Sequence, residues 1–564
     1  MKRKSFELCL LKKPLGSIPE EFGTVEQWKE KYTKEQLIKE FTSDEYGVHQ
    51  IPLDECFDFV QDLVANDYLY HIKLEADYLE KLTYDGALRI FGEPLSSEVM
   101  GRLIYELHVI KLTGFPIMYL IMHDIARFAH EELDAMIGPG IGRLAGSLVA
   151  YCLGITNIDP LKYDLLFENY ICPQILNSPD LNLITDIDGK REIFRWLEEV
   201  YGENGAYMMR PPQRLFGDSV AKLSYNQKMP LDKLIYEDQY CWDCARFAKA
   251  MDVMICGTPE NDWEFVISSS PIRNQMPVFT IKCGYHQPVK HCIKYNFDVY
   301  RSDKMVDVGV IGFKALAELK KACAYIEHTQ GVSMDLNEIP KDDQKTMEVF
   351  KAGETVGVFG FDDKNMQKYL KQLKPSAFED ILQLYTLYYS FRKNEIPTYI
   401  KRYNGDMQIT YPIPVMEIYL KETYGMMVYE EQLLLLSRLL GDLNRKESFE
   451  LRKAVSKAFQ DKIDEFWPMF FDNGVKNGHD PKVLKRIWSE WSRKGWHYRS
   501  KSNEVCYVRI AYLTAYLKAH YPAEYMAAII NCRFDQPSEV VRLTKECQRM
   551  GIDLVDAYAI HYTN

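Results

Sequence analysis

Long apolar runs are missing from this 564-residue chain: the run Phe115 to Met122 falls far short of the roughly 20 residues that a membrane-spanning helix needs. The opening MKRKSFELCLLKKP begins basic, but its apolar part is short and is broken by Glu7 and Lys12, so it does not read as a signal peptide. Cysteine is sparse. Its 13 residues show no framework spacing, which excludes a disulfide-stapled scaffold and suits a reducing compartment. Positive charge is not in excess either. A formal net charge of −12 excludes coating of nucleic acid by bulk charge and leaves only a local basic surface. The expectation is a soluble, cytoplasmic protein with no membrane association, long enough for about three or four domains with sizeable cores.

What is present is organised around Gly138 to Glu168, GPGIGRLAGSLVAYCLGITNIDPLKYDLLFE, which continues to Ser178-Pro179-Asp180-Leu181-Asn182. Glycines and a proline lead into an apolar run. Physically this is a tight turn delivered onto the first turn of a helix, where unpaired N–H groups and the helix dipole favour an anion such as phosphate. A packed loop before a buried helix is the plainer alternative. Ahead of the turn, residues 77 to 132 carry apolar side chains at helical spacing, with Ser96 and Ser97 as candidate caps. Behind it, LITDIDGKREIFRWLEEVYG is a short strand giving way at Asp188-Gly189 to an amphipathic helix, so that Asp180, Asp186 and Asp188 fall near a strand end. Carboxylates there suit Mg²⁺; helix-capping aspartates are the alternative.

Soft metal ligands gather in one region, Cys241-Trp-Asp-Cys244 and Cys283-Gly-Tyr-His286, two knuckles that would fit a structural Zn²⁺ or equally hold small buried cysteines. Val278 to Val310 reads as strands, and Asp307 is the one acid in the apolar run Met305 to Phe313. From Lys314 onward the chain is almost wholly helical. Arg452, Lys453 and Lys457 sit together in SFELRKAVSKAF, the two lysines four apart on one helix face. Lys482 to Lys501 interleaves basic residues with Trp488, Trp491, Trp496 and Tyr498, a mixture suited to a nucleic-acid backbone and its bases, or to a solvated helix whose tryptophans point into the core.

Together these words resemble the catalytic α subunit of bacterial DNA polymerase III, the C family of replicative polymerases. GPGIGRLAGSLVAYCLGITNIDPLKYDLLFE is similar to its palm signature, and SPDLNL to the following strand that bears two catalytic aspartates. ETVGVFGFDDKNMQKYLKQLKPSAFEDI, LKETYGMMVYEEQ, LRKAVSKAF, YLTAYLKAHYPAEYMAA and KECQRMGIDL resemble fingers words. The resemblance runs from about Glu75 to about Ala557. It implies an α+β fold: a helical N-terminal segment (1–75), a nucleotidyltransferase-type palm (76–190 and 262–320), an inserted thumb (191–261) and helical fingers (321–564). The implied reaction is extension of a primer 3′ end on template DNA by deoxynucleoside triphosphates, with two Mg²⁺ ions.

Residue by residue, Asp180 matches the first metal-binding aspartate and Asn182 stands at the second. The third matches Gly309 without a gap; a two-residue bulge would bring Asp307 there instead. In the phosphate turn Gly142-Arg143 replaces Gly-Ser, whereas Gly146-Ser147 match. Arg452, Lys453 and Lys457 match triphosphate contacts, and Lys501-Ser502 match a lysine-serine fingers word whose next residue is Asn503 here. The family's phosphoesterase, helix-hairpin-helix and OB-fold parts have no match in the chain, so the expectation is either that other replication proteins supply them or that this is a short phage or mobile-element polymerase. Two readings follow: a minimal polymerase using Asp180 and Asp307, or a degenerate polymerase fold that binds primer-template or a partner polymerase without catalysis.

Overall fold

The structure is a computed structural model that describes residues 18–42, 68–172, 181–209, 263–268, 271–274, 278–282, 289–293, 305–390 and 392–552. Cys241, Cys244, Cys283, His286 and Asp180 lie outside the described residues. The chain divides into two compact units, one built from Ile117–Ala135 with the described parts of Asp180–Gly312, the other from Glu20–Pro116, the described parts of Met136–Pro179 and those after Gly312.

The first unit holds a mixed sheet of strands β1 (Asn182–Thr185), β2 (Gly205–Met209), β3 (Trp263–Ser268), β4 (Val278–Lys282), β5 (Val289–Ile293) and β6 (Met305–Gly312), in the order β1-β6-β3-β2-β5-β4. β1 runs parallel to β6, and β3 runs antiparallel to it on the other side. Val308, Val310, Leu183, Ile184 and the described part of β3 are buried, as strands covered on their faces require. Helix Ile187–Tyr201 follows β1 at once, because Asp186 caps it: its Oδ1 accepts from Gly189 N at 3.0 Å. Of the two readings of these acids, capping is therefore the one realised at Asp186, while Asp188 is exposed and pairs with Arg191. That helix lays Ile193, Phe194 and Leu197 on the sheet, Phe194 lying 5.8 Å from Phe265, and its Trp196 stacks at 4.0 Å on Phe128 of helix Pro116–Glu131.

The second unit is helical. Helix Tyr68–Phe91 runs unbroken through position 75, and its Lys73 pairs with both Glu40 and Asp77. Ser96 caps helix Ser97–Thr113 through Val99 N, and Gly114 closes it in the left-handed conformation that glycine adopts without strain. Helix Lys501–His520 is the centre of the unit. It is buried on nearly every side and is flanked by Lys314–Gln330, Gln344–Lys351, Phe378–Tyr389 and Pro522–Cys532. A further core gathers Leu440, Phe470, Leu484, Ile487, Trp488 and Trp491. Trp488 and Trp491 thus point inward, as the solvated-helix reading expects.

Candidate functional site

In the sheet unit the two strands that matter are β1 and β6. Parallel pairing sets Asn182 opposite Gly309, and the antiparallel register with β3 sets Asp307 opposite Val266. Each register advances one residue at a time, Met305–Val308 against β3 and Gly309–Gly312 against β1, and the residue paired with Asn182 is Gly309. A β-carbon built on Gly309 would lie 2.0 Å from Asn182 Oδ1 and 3.0 Å from Leu181 O. The asparagine amide thus fills the space in which a third aspartate would begin. Mg²⁺ takes oxygen ligands and is usually held by carboxylates; positions 182 and 309 offer one neutral carbonyl oxygen. These two positions do not fit a magnesium pair. Among the described residues no group of three or more His, Cys, Asp or Glu could hold a metal ion.

In the helical unit the glycine turn begins with Gly140 at φ +113, where Thr156 Oγ1 would stand 2.8 Å from any β-carbon, and Gly142 at φ +66. A short 3-10 turn, Gly142–Gly146, leads into helix Leu148–Cys152 with Ser147 as its cap. The anion at this helix start is supplied by the chain itself. Glu106, fully buried, accepts from Ser147 Oγ at 2.8 Å, Leu148 N at 3.0 Å and Val149 N at 3.1 Å. Arg102 Nε donates to the same carboxylate at 2.6 Å, and Arg102 Nη2 donates to the carbonyls of Gly146 and Leu165. A phosphate at those amides would have to displace a buried ion pair.

The same pattern repeats around Arg143. Its guanidinium grips Glu430 in a fork, Nε to Oε1 at 2.7 Å and Nη2 to Oε2 at 2.9 Å. Asn169 Nδ2 donates to Glu430 at 3.0 Å and to Glu431 at 2.7 Å. Arg452, buried, brings Nη1 to 3.7 Å from Glu430 Oε2. Glu431 in turn sits on the N-terminus of helix Lys501–His520, accepting from Lys501 N at 3.0 Å with both oxygens and from Ser500 Oγ at 3.0 Å. Burial alone would push the Glu430 carboxyl up, but the Arg452 and Arg143 charges hold it below its ordinary pKa. Glu431 is pushed the other way, by burial and by the charge of Glu430. Two adjacent carboxyls are thereby driven apart in acidity.

Gly142, Arg143, Gly146, Ser147, Arg452, Lys501 and Ser502 therefore belong to one region. Gly142 N donates to Asn503 Oδ1 at 2.9 Å, the Lys501 ammonium reaches Glu422 at 2.9 Å, and Ser502 is buried beside Gly146. Lys453 is half-buried and Lys457 exposed, and neither makes an ion pair among the described residues. Sequence reasoning missed Glu106, Glu430 and Glu431. The only local signals for them were the Arg102–Glu106 spacing of four and the acidic doublet after Tyr429.

Comparison with known proteins matches residues 77–222 to the bacterial DNA polymerase III alpha NTPase domain and residues 315–478 to the bacterial DNA polymerase III alpha subunit finger domain. The DNA polymerase III subunit alpha of Halalkalibacterium halodurans is 31% identical over 505 residues, covering 84% of this chain and 45% of that protein. Its counterpart from Aquifex aeolicus is 27% identical over 592 residues, covering 94% and 50%, and that from Borreliella burgdorferi 29% over 518 residues, covering 86% and 45%. The chain spans about half the length of the curated relatives it matches.

Proposed function

The chain belongs to the family of bacterial DNA polymerase III alpha subunits, and from that premise we propose that it is a DNA polymerase core that extends a primer 3′ end on template DNA from deoxynucleoside triphosphates. In this reading 76–190 and 262–320 make the palm, 191–261 a thumb-like insertion and 321–564 the fingers, with 1–75 as a helical N-terminal segment. In this reading the protein works in the cytoplasm on primer-template DNA, beside other replication proteins.

The observation that carries the reading is the parallel β1–β6 register, taken with family matches on both sides of it. Asn182 and Gly309 are paired and uncharged. Asp180 and Asp307 each precede that pair by two residues in sequence. We assign the required carboxylates to Asp180 and Asp307, with Asn182 as a neutral neighbour, and draw no metal-dependent step at 182 and 309. Lys453, Lys457 and Arg452 are the triphosphate contacts of this reading. Gly142, Arg143, Gly146, Ser147, Lys501 and Ser502 are the remaining nucleotide contacts of this reading, with Arg143 and Lys501 charge-balanced by Glu430 and Glu422.

A second reading is favoured by the asparagine amide over Gly309: a polymerase fold that holds primer-template or a partner polymerase without extending it. Primer extension with Mg²⁺, run beside Asp180→Ala and Asp307→Ala, separates the two. Extension by the wild type that each substitution reduces to background supports synthesis. Tight primer-template binding without extension supports the second reading.

A further inference from the structure

Helix Pro481–Lys494 has two opposite faces. Leu484, Ile487, Trp488 and Trp491 are buried in the core with Phe470 and Leu440. At 100° per residue, Lys482, Lys485, Arg486 and Arg493 fall on the opposite side within about a quarter of the helix circumference, with the small Ser489 between them. All four cations are exposed. The stripe spans about 16 Å at 1.5 Å rise per residue. Among the described residues none of the four makes an ion pair, whereas Lys494, on the flank, lies 3.5 Å from Glu395 and 3.8 Å from Glu490. Just past the helix, Trp496 is 49% exposed with its ring 3.5 Å from that of His497.

A cationic row with no counter-ion among the described residues, in a chain of net charge −12 and ending on an open indole, matches a polyanion that also offers flat rings. The apolar face is already used inside the core, so it is not available to a bilayer. We propose that this helix face, Lys482, Lys485, Arg486 and Arg493 with Trp496, binds single-stranded nucleic acid, the cations tracking successive phosphates and Trp496 stacking on a base. The inference deepens the proposed function and rests on it in taking the strand to be unpaired template. Binding itself is read without extension.

The test is fluorescence anisotropy of a labelled oligo(dT) with the full chain, titrated across salt. Arg486→Glu/Arg493→Glu should weaken binding about tenfold or more near 50 mM salt and lower the magnitude of the log K against log salt slope by about 1.4, two lost phosphate contacts. Trp496→Ala should weaken it at least about fivefold. Lys364→Glu/Lys368→Glu, the same charge change on exposed residues of helix Lys364–Leu373, should leave affinity within twofold. Unchanged binding by the Arg486/Arg493 variant overturns the inference, as does an equal loss in the Lys364/Lys368 control or an equal loss on blunt duplex. Those outcomes stand whether or not the wild type extends primers, and melting temperatures matched to wild type exclude unfolding as their cause.

Discussion

Arg143 and Glu430 are 287 positions apart in sequence and meet as a two-pronged pair, Nε–Oε1 at 2.7 Å and Nη2–Oε2 at 2.9 Å. The pair is lopsided: the Glu430 side chain is 5% exposed and that of Arg143 38%. Glu430 also faces the buried Arg452. Removing the buried member takes the carboxylate away from the buried Arg452, whereas removing the arginine leaves Glu430 with Arg452 and Asn169. Glu430→Ala should therefore cost about 3–5 kcal/mol of stability, and Arg143→Ala about 1–2 kcal/mol, in urea unfolding. Equal costs would show that the fork, not the buried carboxylate, carries the interaction.

Glu106 accepts from Ser147, Leu148, Val149 and Arg102 at once. Glu106→Ala should leave two buried amides, a hydroxyl and the Arg102 Nε without this acceptor and cost about 3–5 kcal/mol. Hydrogen exchange offers a local readout. Protection at Leu148 and Val149 should fall well before that of helix Pro522–Cys532.

Gly309→Ala places a methyl 2.0 Å from the Asn182 amide oxygen, an overpacking expected to cost about 1–3 kcal/mol. Asn182→Ala in the same chain should recover part of that loss, and only part, because Leu181 O also lies 3.0 Å away. A thermal-denaturation double-mutant cycle measures the coupling. Additive effects would mean that the two positions do not touch.

Glu430 and Glu431 carry opposite pH signatures. Glu430, whose folded pKa is lowered, contributes stability above its unfolded pKa and loses it as pH falls through the folded value. Glu431, whose folded pKa is raised, favours the folded state most at low pH and loses that contribution as pH rises through the folded value. Glu431→Gln removes the second term. Its stability relative to wild type should therefore rise with pH above the ordinary carboxylate range, and parallel pH profiles for the two proteins would refute this assignment.

Trp491, 2% exposed, packs 5.2 Å from Phe470. Trp491→Ala should cost about 3–5 kcal/mol by calorimetry, with oligonucleotide affinity of the folded fraction unchanged. The opposite balance is expected for Trp496→Ala.

Much was legible in the chain. The helical half, the Ser96 cap, the strand-then-helix step around Asp186 and the glycine turn all follow from spacing and turn chemistry, because each is decided by residues within a few positions of one another. Family membership was legible too, from the order of long words. That Gly309 is the residue paired with Asn182 was not legible, because sequence spacing does not fix strand register and the paired neighbours do.

By itself, then, the sequence determined which elements form and which family the chain belongs to. Tertiary structure alone decided what occupies the positions those elements create. Glu106 and Glu430 reach the glycine turn from 41 and 287 residues away, and Asn182 lies against Gly309 across two strands. Such pairings arise from packing at a distance, where a buried carboxylate must find a cation or an amide donor, and no local pattern announces which one it will find.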